Sequence, residues 1–224
     1  YWAWKNTKHD YYGLCHYRRY FDFRGGKAPY ILGDFPTVNC LTRLGYSDLD
    51  YVMADCDIVV PTPEDFGVTA YEHYKEGAEH FISDLDTVVS LIKKHTPEYA
   101  MACDLYLNGK DVITGNMAIF TDKYMDMYCN WLFMILQQFD MVCNKEGYGR
   151  ESMRVNGYLA ERMLGIFVAK LKQEGEARIA EFPKKFYLGY GTKLSQIKAR
   201  IVYNMLPPNS NRRKLVRKIY KKSK

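Results

Sequence analysis

Two hydrophobic rhythms alternate along the 224-residue chain. Residues 11–17 form a short apolar, aromatic run of strand type, and residues 52–60, closed by Pro61-Thr62-Pro63, form a second. Between them, residues 22–50 are punctuated by Gly and Pro and predict a long loop, which in a compact domain usually carries function. Across residues 71–95 the period changes: Phe81, Leu85, Val88 and Ile92 recur at helical spacing until Thr96-Pro97 stops the helix. A short helix over residues 98–107 ends at Asn108-Gly109, and residues 112–120 read as a strand. Thr121 then caps an amphipathic helix with Met125, Tyr128, Leu132, Ile135 and Phe139 inward. Residues 153–172 predict another helix, with Leu159, Met163, Ile166 and Phe167 facing the core. A strand at 186–188, a helix at 193–203 and a tail opening at Pro207-Pro208 complete the pass. Strands alternating with helices imply an α/β layer fold, with a mostly parallel sheet flanked by helices over residues 1–206 and a separate tail at 207–224.

Composition sharpens this. At 47% hydrophobic, the chain can bury one good core. The 20 Tyr mostly suit core edges, and a few could stack on a polyol or nucleotide while offering a hydroxyl. Six cysteines with no CxxC read as small buried hydrophobes of a reducing, cytoplasmic setting. No apolar run approaches the roughly 18 residues that cross a bilayer. The net charge of +6 belongs to the end of the chain: residues 212–224 hold eight Lys or Arg and no acid. Setting those eight aside leaves 24 cations against 26 acids, so the body is no nucleic-acid surface. Leu215, Val216 and Ile219 share a helical face within that tail. It either lies on an anionic membrane, each cation adding about 1 kcal/mol, or remains a solvated terminus. The opening YWAWKN begins in mid-pattern, as a piece of a longer protein would.

Candidate chemistry gathers at four places. His16-Tyr17-Arg18-Arg19 follows the first strand, where open α/β sheets bind ligands, and two planar guanidinium forks beside an imidazole suit a diphosphate. The alternative is an Arg pair neutralised by Asp10 and Asp22 in a structural network. Asp55-Cys56-Asp57 could hold Mn²⁺ or Mg²⁺ against phosphate oxygens, a weaker reading because Asp57 runs directly into Ile58-Val59-Val60. Gly115-Asn116-Met117 interrupts an apolar strand, as a bulge or as a hydroxyl-binding turn. Arg154, Tyr158 and Glu161 share one helix face at i, i+4 and i+7, either as a salt-bridged surface or with Glu161 as a general base. His80 and Asp84, one turn apart, are read as structural.

YWAWKN, YYGLCHYRRYF, DIVVP, YEHYKEGAEHFISDL, PEY, GNMAIF, NWLFMIL and RVNGYLAERML occur in one order over residues 1–169. In that order they resemble a bacterial family of capsular and exopolysaccharide glycosyltransferases, long filed as a domain of unknown function. The resemblance implies a GT-A-like, Rossmann-like fold moving a hexose from a nucleotide-sugar, UDP-linked, to a lipid-linked glycan at the inner face of the cell membrane. It implies that His16, Arg18 and Arg19 hold the donor diphosphate and stabilise the leaving charge. Asn116, Tyr158 and Arg154 would bind the sugar and acceptor, and Glu161 would activate the acceptor. Two features depart from the family pattern. An acidic residue and Gln are expected shortly before the Arg of the RV-G block, where this chain reads Tyr148-Gly-Arg-Glu-Ser-Met153. The family's N-terminal strand–helix unit, which would bind the nucleotide base, is also absent from this sequence. The rival from another class is a non-catalytic glycan-binding or assembly module derived from such an enzyme.

Overall fold

The computed structural model describes residues 1–25, 30–31, 38–187 and 193–206, together with 212, 215 and 216. In chain order the elements are α1 (Trp2–Asn6), β1 (Tyr11–Leu14), β2 (Arg19–Phe21), β3 (Tyr30–Ile31), α2 (Val38–Arg43), α3 (Leu49–Asp55), β4 (Ile58–Pro61), β5 (Glu64–Asp65), α4 (Ala70–Lys75), α5 (Ile82–His95), α6 (Ala100–Asn108), β6 (Asp111–Val112), β7 (Ala118–Thr121), α7 (Asp122–Val142), α8 (Val155–Glu174), β8 (Ile179–Phe182), β9 (Lys184–Tyr187) and α9 (Lys193–Met205).

The central sheet has the order β1-β7-β4-β8. Tyr11 pairs Thr121 and Leu14 pairs Ala118, both antiparallel, and Ile58 pairs Phe120 in the same sense. Within this sheet only β4 and β8 are paired in parallel, so the expected mostly parallel sheet is a mixed one. Three strands nonetheless run in one direction, because β7 is reversed between β1 and β4. The carboxyl ends of β1, β4 and β8 therefore share an edge with the amino end of β7, which is where open α/β sheets place their chemistry.

Alternation along β4 and β7 explains how two layers grip the sheet. Ile58, Val60, Ala118 and Phe120 face a large core with α4 to α8, including Leu85, Ile92, Ile135, Phe139, Leu159, Met163 and Phe167. Val59, Met117 and Ile119 face the other way, onto Phe21, Met53 and Cys56. Burying both faces stabilises the strands by about 1.5–3 kcal/mol per large side chain. A second sheet, β2-β9-β3, closes that side, with Arg19 opposite Phe186 and a buried Lys185–Asp22 ion pair at 2.9 Å.

Several boundaries differ from the hydrophobic reading. Residues 52–55, read as the start of a strand, belong to α3, with Met53 buried in the cluster that holds Val59 and Ile119 and Val52 half-buried against it. The supposed loop over 22–50 contains α2 and a 3-10 turn at Tyr46–Asp48. The helix read over 71–95 breaks between α4 and α5. There Tyr74 gives its carbonyl to the His80 imidazole at 2.9 Å, and a side chain at Gly77 would collide with that ring. The strand read over 112–120 splits into β6 and β7, and β8 went unread. Thr121 holds the N-cap position of α7 but makes no side-chain cap bond. The predicted tail at 207–224 lies outside the described residues, apart from 212, 215 and 216. No disulfide joins the six cysteines, all of which lie among the described residues, and no described helix is long and apolar enough to cross a membrane.

Candidate active site

At the carboxyl end of β1 the chain reverses at once. The Arg19 N–H donates to the His16 carbonyl at 3.0 Å, closing a four-residue turn, and the Arg18 N–H donates to His16 Nδ1 at 3.2 Å. The turn presents Arg18 to solvent across the Tyr17 ring, 4.9 Å from its centroid. Arg19 lies half-buried over the Phe186 ring at 5.1 Å. Neither arginine forms an ion pair among the described residues. Of the two acids that could neutralise them, Asp10 and Asp22, Asp22 pairs with Lys185. The two guanidinium groups thus stand without an ion-pair partner among the described residues.

The second wall is the turn between β6 and β7. Gly115 has φ +102 and Asn116 φ +51, so this is a sharp reversal rather than a bulge in a continuous strand. A Cβ at Gly115 would lie 3.2 Å from Arg19 Nη1, so glycine lets the guanidinium rest directly on the backbone. The Gly115 N–H donates to Glu161 Oε2 at 2.5 Å, and Asn116 Nδ2 donates to the Gly157 carbonyl at 3.1 Å. Both partners lie on α8, the third wall.

Only part of the expected face lies on α8: Tyr158 and Glu161 are helical, whereas Arg154 ends the preceding 3-10 turn and occupies the N-cap position. The Arg154 guanidinium sits 5.8 Å from the Tyr158 ring and 3.0 Å from Glu151, and Glu161 follows one turn beyond Tyr158. The Tyr158 hydroxyl donates to the Glu151 carbonyl at 3.1 Å, so the residue offers its ring, packed 4.4 Å from His80, more than a free hydroxyl donor. Burial lowers the His16 pKa, as do the Arg19, Arg18 and Arg154 charges, with Glu161 opposing; the imidazole is neutral near pH 7. That electrostatic coupling joins His16, Arg18, Arg19, Arg154 and Glu161 in one locality. Arg19, Gly115, Asn116, Gly157 and Glu161 are joined there by contact.

Four supports were not legible beforehand. Arg162, 1% exposed, lies 3.4 Å from Glu161 Oε1 and donates to His73 Nδ1 at 2.9 Å. A guanidinium can only donate, so Nδ1 must be the unprotonated nitrogen; burial and Arg162 together lower the His73 pKa to about 4. Tyr106 accepts the Ile113 N–H at 3.2 Å, and its ring lies so close to α8 that a Cβ at Gly165 would fall 1.9 Å from it. Lys184, from β9, ties Glu64 to Thr114, the residue before Gly115. Burial lowers the Lys184 pKa, with Glu64 opposing. Phe186, also from β9, is the platform under Arg19. The pairing of β9 with β2 reveals both, and no local pattern signalled either.

Asp57 is engaged elsewhere. Arg178 donates to it from Nη2 at 3.1 Å and from Nε at 3.2 Å, which lowers the Asp57 pKa, and Asp55 ends α3. Among the described residues no three metal-ligating side chains converge. His80 and Asp84 bind separate partners, the His80 imidazole the Tyr74 carbonyl at 2.9 Å and Asp84 accepting the Tyr148 hydroxyl at 2.6 Å.

A family profile, Domain of unknown function (DUF4422), matches residues 1–173. The chain belongs to the DUF4422 family. This DUF4422 chain is also similar to a solved structure, WbbM, a bifunctional glycosyltransferase in its apo form, with 26% identity and a TM-score of 0.77. The similarity covers 84% of this chain and 35% of that one, so the chain spans about a third of WbbM's length. No curated protein matches it. The DUF4422 match ends at residue 173, so β8 and β9, with Lys184 and Phe186, lie beyond it.

Proposed function

We propose that this chain is a glycosyltransferase that moves a hexose from a nucleotide-sugar, UDP-linked, to a lipid-linked glycan in capsular or exopolysaccharide synthesis at the inner face of the cell membrane. The observation that carries the reading is the meeting of three walls at one sheet edge. Two arginines without an ion-pair partner among the described residues, a tight Gly-Asn turn and the Glu161 carboxylate surround the same place. The likeness to a glycosyltransferase supports it.

In this reading Arg18 and Arg19 hold the donor diphosphate and stabilise the charge that develops as the sugar–phosphate bond breaks. Neutral His16 adds a hydrogen bond without adding repulsion between cations. Glu161 accepts the proton of the acceptor hydroxyl as that oxygen bonds the anomeric carbon; the Gly115 N–H and Arg162 orient the carboxylate. The Tyr158 ring gives an apolar sugar face a surface, and Asn116 and Arg154 supply polar contacts nearby.

The test is a panel of nucleotide-sugars read by thermal shift and by label transfer to a lipid-linked acceptor. A donor at 100 times its Kd adds about 2.7 kcal/mol of stability. Arg18→Lys and Arg19→Lys keep charge but lose the two-donor fork, and each should lower kcat/KM about ten- to a hundredfold with an unchanged melting temperature. Parallel assays with EDTA, and with Mn²⁺ or Mg²⁺ restored, decide whether a cation shares the diphosphate. Donor binding without transfer would instead identify a non-catalytic module. Wild-type kinetics in both variants would place the phosphate site elsewhere.

A further inference from the structure

The helix α9 carries a row of apolar side chains that nothing in the described protein covers. Leu194, Ile197, Ile201, Val202 and Met205 fall at i, i+3, i+7, i+8 and i+11, the spacing of one helical face. In a core helix such a row would be buried. Here each of the five is at least half exposed, from 50% at Ile201 to 64% at Met205.

The charges around this row decide what fits it. No Asp or Glu occurs anywhere after Glu181. Lys193, Lys198 and Arg200 lie within α9 itself, and eight more cations fall in residues 212–224. Lys198 sits one turn from both Leu194 and Val202, inside the row. A long Lys stem can lie along apolar surface while its amine reaches outward. An uncharged protein groove would leave that amine unpaired. A lipid surface with anionic headgroups pairs it and also accepts the cations that follow, while the apolar row enters the boundary between headgroups and acyl chains. Leu215 and Val216, helical and exposed among those later cations, continue the same composition.

We propose that α9 and the basic segment after it form a docking surface for an anionic bilayer, with α9 as the apolar anchor and residues 212–224 as its electrostatic complement. This stands independently of the sugar-transfer reading, since a chain that transfers no sugar would dock in the same way. The arrangement keeps the chain at a membrane surface without a spanning helix. Neither component suffices alone: a short apolar row gives weak partitioning, and a basic stretch is released by salt.

The test is flotation of the full chain with vesicles of phosphatidylcholine, with and without phosphatidylglycerol. The chain should float with the anionic vesicles and little with the neutral ones. Ile197→Asp with Ile201→Asp changes only exposed positions, so the melting temperature should hold. Vesicle affinity should fall about tenfold or more for each residue removed from the boundary. Replacing the cations of 212–224 by Gln should lower affinity and remove most of its salt dependence. Met205→Trp should give a fluorophore whose emission shifts to the blue on adding anionic vesicles. The proposal is overturned if the double Asp variant floats as well as the wild type, or if the intact chain ignores anionic vesicles. It is also overturned if the Asp substitutions abolish self-association and leave vesicle binding unchanged, which would make the row a contact between copies.

Discussion

Replacing Gly115 by Ala tests whether the three walls depend on one another. Gly115 has φ +102, a value that L side chains rarely adopt, and such strain costs about 1–3 kcal/mol. The added methyl would sit 3.2 Å from Arg19 Nη1, 3.5 Å from Arg19 Cδ and 3.7 Å from Met117 Sδ. Met117 is fully buried, so relief must come from the half-buried Arg19, which would slide off the Phe186 ring. Any backbone adjustment at residue 115 also disturbs the N–H that donates to Glu161 at 2.5 Å. The variant should therefore lose about 1–3 kcal/mol of stability, at about 2–4 °C per kcal/mol for a chain of this size. It should also lose activity beyond that, up to about a hundredfold in kcat/KM if the guanidinium moves about 1 Å. Differential scanning fluorimetry and steady-state transfer on the same preparations separate the two effects. Gly157→Ala is the stability contrast: a Cβ there meets nothing within 4 Å and the site is helical, so the same chemical change should raise the melting temperature. Wild-type melting and turnover in Gly115→Ala would refute the argument, because neither φ nor the Arg19 contact would then hold the turn.

Two further outcomes follow from buried groups around the site. Lys184→Met removes the cation that ties Glu64 to Thr114 and should cost about 1–3 kcal/mol, discounted because Glu64 is part-exposed; an unchanged denaturation midpoint would show the tie to be idle. His73 has a folded pKa of about 4, below its unfolded value near 6.5, so its neutral form contributes stability that is full above about pH 6.5 and lost as pH falls toward 4. His73→Gln should flatten that part of the stability–pH curve, and identical slopes in the two proteins would contradict the assignment.

Much of the site was legible because its parts are local motifs. His16, Arg18 and Arg19 follow an apolar run, Gly115-Asn116 interrupts another, and Arg154, Tyr158 and Glu161 are spaced for one helix face. Residue type and helical period fix those features without reference to the rest of the chain. The inward faces of α7 and α8 were legible for the same reason, since Leu132, Ile135, Leu159 and Met163 repeat at the period of the helix that buries them.

Periodicity could not say which strand lies beside which, and the sheet shows the cost. Strands β1, β4 and β8 point one way, yet β7 inserts between two of them in the opposite sense, so a parallel reading of the alternation became a mixed sheet. Residues 52–55 went the other way, because Val52 and Met53 suit a strand or a short helix equally and only packing in the cluster with Val59 chose. The same limit hid Lys184 and Phe186. Each is one residue of a four-residue strand, and its bearing on Arg19 and Thr114 exists only because β9 pairs with β2, more than 160 residues earlier. Asp55 and Asp57 looked alike in sequence and were separated by a neighbour far along the chain, Arg178, which claims Asp57. The chain's own pattern set the motifs and the faces of its helices. Long-range pairing, whose energy depends on partners distant in sequence, decided which of them meet.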